Sequence, residues 1–349
     1  MDFRSDNTAA AAPEILSALA AANTGTRTSY GEDPQTARLE QRLKELFETD
    51  LAAYCVATGT AANALGLSLL SPPYGAVYCH EEAHILVDEC GAPEFYCGGA
   101  RMVGLPGDGG KITAAQLRAR LPDGAGEVHH VQPAAISLTQ ATEAGTVYRA
   151  GEIAAIAEVA REHHLRVHMD GARFANALAF LQLSPAEATW RAGVEVLSFG
   201  ASKNGALAAE MVILFDRSLA HAFEFRRKRA GHLFSKMRFL TAQFEAYLTD
   251  GLWLRLATRA NGLARRLADG LARLPGVHLC YPVEANEVFV DLPEPVIAGL
   301  LAEGFQFYRW PGAHPHRVRL VAAFNTEEAH ITALIASAAR HAATPLAVG

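Results

Sequence analysis

Basic residues are in the minority in this 349-residue chain: 31 Lys and Arg against 37 Asp and Glu give a net charge of −6. No long basic block offers the electrostatic footprint that nucleic-acid binding requires. Cysteine is also sparse. Cys55, Cys79, Cys90, Cys97 and Cys280 are odd in number and form neither a CxxC pair nor a metal-ligand spacing, which argues against a disulfide framework and fits a reducing cytoplasm. Long hydrophobic runs are absent, because Thr58, Gly59, Thr60 and Asn63 interrupt the most apolar window, Leu51 to Leu70, and no membrane span is predicted. The opening Met1 to Asp6 carries no basic stretch ahead of an apolar one, so no signal peptide is expected. The Gly107 to Ile112 segment lacks the leading Gly and the Ser or Thr of a P-loop, and no GxGxxG opens a helix. These exclusions leave a soluble protein acting on small molecules, with no nucleic-acid or membrane partner.

What is present is a chain half hydrophobic in composition, longer than a single core usually supports. Thr36 to Glu48 places Leu39, Leu43, Leu46 and Phe47 at helical intervals. Beyond it, short apolar runs at Ala52–Val56, Val77–Cys79, Ala134–Leu138, Val167–Met169, Val194–Phe199 and Val212–Phe215 read as buried strands. Helical stretches at Gly59–Leu70, Gly151–His163 and Leu219–Arg229 alternate with them. This alternation predicts an α/β fold with a mostly parallel sheet and ligands at the carboxyl ends of its strands. A continuous helical pattern from Phe239 to Leu274, stopped by Leu-Pro-Gly, reads as the connector to a smaller α+β C-terminal domain. We expect a large domain over residues 1–250 and a small one over 251–349. The terminal ATPLAVG reads as a loose tail.

Three positions carry chemistry. Lys203 follows the strand Val194–Phe199 in Leu-Ser-Phe-Gly-Ala-Ser-Lys-Asn-Gly, a stretch poor in other charge. An amine there can form a Schiff base with an aldehyde; taken alone, a surface lysine is the simpler reading. Asp170 ends the strand Val167–Met169, where a carboxylate can hold a pyridinium nitrogen protonated and make the ring an electron sink, although an Asp at that point can also cap a helix. Thr58-Gly59-Thr60 links a strand to a helix and would turn backbone N–H groups toward an anion such as a phosphate; an ordinary capped turn has the same pattern. Together, in this order, the three describe a site for pyridoxal 5'-phosphate (PLP).

Around these positions the chain resembles a known family. Asp2-Phe3-Arg4-Ser5-Asp6-Asn7-Thr8, Tyr30-Gly31-Glu32-Asp33-Pro34, Thr58-Gly59-Thr60, Ala83-His84-Ile85, Asp170-Gly171-Ala172-Arg173 and Ser202-Lys203 look like the ordered motifs of the low-specificity L-threonine aldolases. The resemblance runs from the first residues to about Ala329. It implies a fold type I PLP enzyme, a transferase-like large domain, and a homotetramer with active sites shared between subunits. It further implies a carbon–carbon lyase that cleaves L-threonine, L-allo-threonine and related β-hydroxy-α-amino acids to glycine and an aldehyde; no single residue fixes configuration at the β-carbon, and we expect broad tolerance there. By this likeness Lys203 is the Schiff-base lysine, Asp170 partners the ring nitrogen, Gly59 and Thr60 hold the phosphate, and His84 stacks on the ring and takes part in proton transfer. Ser5, Arg173 and Arg319 match positions that bind or orient the substrate carboxylate, Arg173 counting among the cofactor-binding residues as well; Tyr30 belongs to a substrate-side motif, and Arg229 and Arg238 match a region reaching a neighbouring subunit's phosphate. The sequence departs from the family pattern in one loop, where Thr139-Gln140-Ala141-Thr142 stands in place of Asn-Thr-His-Asn and Ala141 replaces the usual second histidine.

Two other readings compete. The same lysine and aspartate would serve another PLP β-eliminating lyase or an aminotransferase. From a different class, His80-Glu81-Glu82-Ala83-His84 matches HExxH, which on one helix would bind zinc. His80, however, follows the strand Val77–Cys79 directly, and we expect no metal ligand set.

Overall fold

In the computed structural model, residues 1–310 and 314–343 are described; most of the ATPLAVG segment lies outside them. The first half of the chain supplies α1 (Pro13–Ala22), α2 (Pro34–Phe47), β1 (Ala52–Val56), α3 (Gly59–Ser68), β2 (Gly75–His80), α4 (His84–Val87), α5 (Ala92–Tyr96), β3 (Arg101–Leu105) and α6 (Ala114–Arg120). Then come β4 (Gln132–Thr139), α7 (Ala150–Glu162), β5 (Arg166–Gly171), α8 (Phe174–Leu181), β6 (Val196–Gly200), β7 (Glu210–Leu214), α9 (Ala220–Arg229) and α10 (Arg238–Leu248). The last stretch adds α11 (Leu252–Leu271), β8 (His278–Leu279), β9 (Glu287–Asp291), α12 (Glu294–Ala302), β10 (Tyr308–Arg309), β11 (Arg317–Val321) and α13 (Glu328–Ala342).

Seven strands form one sheet in the order β1-β7-β6-β5-β4-β2-β3. The pairs from β6 through β3 are parallel, while β7 runs antiparallel to both β1 and β6. β2, β6 and β7 are buried at every position, as expected where helices cover both faces of a sheet. A second, antiparallel sheet of four strands has the order β10-β11-β9-β8. Each sheet has its own apolar cluster, and α11 serves both: Trp253 and Ala257 pack in the first, Leu263 to Leu271 in the second.

Local sequence explains the helices nearest the site. Asp33 caps α2 by accepting from the amides of Gln35 and Thr36, with Pro34 at the first helical position, and Leu39, Leu43 and Phe47 turn inward. α3 is buried from Ala61 to Ser68, an apolar helix packed under the sheet. The expected continuous helix from Phe239 to Leu274 is broken instead. Asp250 (φ 49°) and Gly251 (φ 64°) both take left-handed backbone between α10 and α11, a conformation Asp and Gly tolerate better than other residues. β3, α1, α4, α5, α6 and α8 fall outside the runs expected to form strands or helices. No described helix is long and apolar enough to cross a membrane.

Candidate active site

The carboxyl ends of β4, β5 and β6 and the amino end of α3 enclose a cavity of about 320 Å³, at the small end of the range for ligand sites. Lys203 lies in a short 3-10 turn just beyond β6 and lines this cavity together with Thr58, Gly59, Thr60, His84, Asp170 and Arg173. Two glycines allow the strand ends to meet so closely. A Cβ on Gly171 would lie 2.6 Å from the Ser198 carbonyl, and one on Gly200 would lie 2.6 Å from the Ala172 carbonyl. The strands carrying Asp170 and leading to Lys203 are therefore held backbone to backbone, and this fixes the two side chains relative to each other.

Thr58 caps α3 by accepting from the Ala61 amide at 3.1 Å. The amides of Gly59 and Thr60 fall in the first turn, where no intrahelical acceptor exists, and a Cβ on Gly59 would meet nothing within 4 Å. An open cradle at a helix N-terminus suits a phosphate.

Asp170 is almost fully buried. Its Oδ1 accepts from the Ala172 amide at 2.9 Å, and its Oδ2 from Asn63 Nδ2 at 2.7 Å. Asn63 also donates to Glu89 Oε1 at 2.8 Å, and that oxygen pairs with His84 Nδ1 at 2.9 Å. A chain of hydrogen bonds thus runs from His84 through Glu89 and Asn63 to Asp170. The bond to Glu89 raises the pKa of His84, and burial raises that of Glu89. Neither Asn63 nor Glu89 stood out in the sequence as a site residue. An Asn inside an otherwise Ala- and Leu-rich buried helix is the signal that could have found it, since a buried amide needs partners.

Behind Asp170 on the same strand face, buried His168 bridges β4 and β6, with Nδ1 2.9 Å from Ser137 Oγ and Nε2 3.0 Å from Ser198 Oγ. Burial lowers its pKa to about 4. On the Lys203 side, Glu210 at the start of β7 accepts from the Ser202 amide at 3.3 Å, and burial pushes its pKa up to about 7. Glu143, in the loop after β4, also lines the cavity.

Of the other sequence-derived residues, only Arg173 touches the cavity. Arg173 reaches the cavity wall, but its guanidinium grips Asp6, with Nε to Oδ2 at 2.8 Å, and lies 3.3 Å from Glu287. Burial alone would raise the Asp6 pKa, yet the charges of Arg173 and Lys203 hold it below its usual value. Ser5 does not line the cavity; it caps the short turn Asp6–Thr8. Arg319 lies on β11 with its guanidinium over the rings of Trp310 and Tyr308, and its buried Nε has no hydrogen-bond partner among the described residues. Tyr30 is 45% exposed under a Lys228 ammonium. Arg229 is exposed at the end of α9, and Arg238 at the start of α10 donates to the Gly25 carbonyl. None of these three lines the Lys203 cavity. The HExxH match does not form a helix face, because His80 ends β2 and bonds the Gly107 carbonyl while His84 opens α4.

Comparison with known proteins agrees with this architecture. Residues 2–295 match the beta-eliminating lyase family. A low-specificity L-threonine aldolase from a Pseudomonas strain is 44% identical over 96% of each chain, and one from Pseudomonas aeruginosa is 47% identical over 89% of each. The solved threonine aldolase of Leishmania major superposes with a TM-score of 0.92 at 28% identity, covering 98% of this chain and 99% of that one. With its mostly parallel sheet, its lysine beyond β6 and its likeness to these proteins over nearly the whole chain, the chain belongs to the beta-eliminating lyase family, in the branch of the low-specificity L-threonine aldolases.

Proposed function

We propose that this lyase uses PLP to cleave L-threonine, L-allo-threonine and related β-hydroxy-α-amino acids into glycine and an aldehyde. The observation that carries the reading is the convergence of Lys203, Asp170 and the open N-terminus of α3 on one cavity. An amine, a carboxylate and an anion cradle are the donor set that PLP needs, so the residues present fit the group. Lys203 would hold its aldehyde carbon, Asp170 its ring nitrogen, Gly59 and Thr60 its phosphate, and His84 one face of its ring. When bound, the cofactor supplies an electron sink for the pair left on the substrate Cα.

The protein's part is orientation, since which Cα bond breaks depends on how the amino acid is held. Asp170, fixed by Asn63 and the Ala172 amide, would keep the ring nitrogen protonated. We assign the substrate carboxylate to Arg319, whose unpaired buried Nε supports an anionic partner, with Ser5 and Arg173 shaping the same side. Tyr30, Arg229 and Arg238 are assigned to a neighbouring subunit's site in a homotetramer; their positions away from the Lys203 cavity suit that role. Five unpaired cysteines support a cytoplasmic location.

Product analysis on the PLP-loaded protein tests the reaction. Equal amounts of glycine and acetaldehyde from L-threonine are expected, with rates on L-threonine and L-allo-threonine within about a hundredfold, a span of roughly 2.7 kcal/mol. Ammonia with a keto acid, or amino transfer to an added keto acid, would instead make the chain a β-eliminating enzyme or an aminotransferase.

A further inference from the structure

Aldol cleavage needs a group to take the proton from the substrate's β-hydroxyl as the departing carbon becomes a carbonyl. Four carboxylates line the cavity: Glu89, Glu143, Asp170 and Glu210. Three already hold hydrogen-bond partners, Glu89 through Oε1 alone. Glu89 accepts from Asn63 and pairs with His84, Asp170 accepts from Asn63 and the Ala172 amide, and Glu210 accepts from the Ser202 amide. His84 has Nδ1 committed to Glu89, and its ring is assigned above to the face of the cofactor. Among the described residues Glu143 alone of the four makes no hydrogen bond or ion pair.

The loop holding Glu143 is well anchored. The Gln140 amide donates to the Asp170 carbonyl at 2.7 Å, so the loop leaves the sheet beside the strand that carries Asp170. The Gln140 side chain is bound to the Tyr148 backbone at both ends, at 2.9 and 3.0 Å. Thr142 and Thr146 both donate to the Gly109 carbonyl, at 2.9 and 2.6 Å. Between these anchors the side chains are small, Ala141 and Ala144, leaving Glu143 as the single ionisable group the loop presents. Lys203, Asp170, Glu287, Arg173 and His84 are the charged and titratable groups whose fields reach it, and burial raises its pKa.

We propose that Glu143 is the catalytic residue that accepts the β-hydroxyl proton. The inference rests on the aldolase reading above. As the O–H bond breaks, its proton passes to the Glu143 carboxylate and its electron pair forms the carbonyl bond of the aldehyde. The Cα–Cβ bond breaks in the same event, and the pair left on Cα takes up a proton to give glycine, so one proton leaves oxygen and one reaches carbon. Glu143 returns its proton before the next turnover.

Glycine, which has no β-hydroxyl, separates this role from a structural one. The test compares wild type, Glu143→Gln and Glu143→Asp, each loaded with PLP, for threonine cleavage, for exchange of the glycine α-proton in D₂O followed by NMR, and for glycine affinity by calorimetry. For Glu143→Gln, cleavage should fall about a hundredfold or more while glycine exchange and affinity stay within about threefold, and Glu143→Asp should recover at least about tenfold of the lost rate. Cleavage by Glu143→Gln within about fivefold of wild type would overturn the proposal alone. So would a parallel fall in exchange and affinity, or no recovery in Glu143→Asp. A wild type that exchanges glycine protons but cleaves no β-hydroxy amino acid would overturn both this proposal and the aldolase reading.

Discussion

His168 shows how a single buried residue fixes the geometry of the site without touching a ligand. Its ring ties the three strands whose ends form the cavity, through Ser137 on β4 and Ser198 on β6. Its pKa falls from 6.5 in the unfolded chain to about 4 in the folded one, because burial opposes the charged form. Between those values the unfolded chain holds the extra proton, so stability falls as pH drops from 6.5 toward 4 and is unaffected by this group above 6.5. A shift of that size corresponds to roughly 3 kcal/mol. Urea unfolding of the cofactor-free protein at several pH values should show this slope in wild type and a shallower one in His168→Asn. An equal slope in both would place the titration elsewhere. The buried Asp6–Arg173 pair acts in the same direction at lower pH: the lowered Asp6 pKa contributes stability above its unfolded value, lost as pH falls through the folded one.

At the scale of elements, α3 joins local capping to ligand binding. Thr58 Oγ1 takes the Ala61 amide, which sets the helix start and leaves the Gly59 and Thr60 amides facing the cavity. Thr58→Ala should lower stability by about 1 kcal/mol, and because the first turn frays, inorganic phosphate and PLP should both bind more weakly. The check is a pair of denaturation and phosphate-titration measurements, and unchanged phosphate affinity would remove the cradle from the account. This turn was legible in the sequence, because strand, cap residue and glycine adjoin one another there. So were Asp170 and Lys203, each at the end of an apolar run. Asn63, Glu89 and Glu210 were harder to read, since each gains its meaning only from partners remote in sequence. The break between α10 and α11 was missed for a related reason: the hydrophobic period continues across it, while the backbone turns at Asp250 and Gly251.

Across the whole molecule, the first residues bind the two apolar clusters together. The Asp2 to Phe3 segment pairs with Gln306, and Phe3 packs into the cluster of the second sheet. Asp6 meanwhile reaches Arg173 beyond β5 and Asn286 just before β9. The opening heptapeptide signals a family in sequence; in the fold, it joins the two clusters and brings Asn7 to the cavity wall. The division into residues 1–250 and 251–349 remains our proposal for how the chain is partitioned, with Phe3 joining the smaller part. Subunit contacts are set by surfaces whose partners are other copies, and a pattern of local periodicity carries no record of them. Lys203 is the residue proposed to hold PLP, and borohydride reduction of the PLP-loaded protein followed by peptide mapping decides it. One pyridoxyl group per chain on the peptide containing Lys203, absent from Lys203→Ala, is the expected result; a label on another lysine, or none, would contradict it.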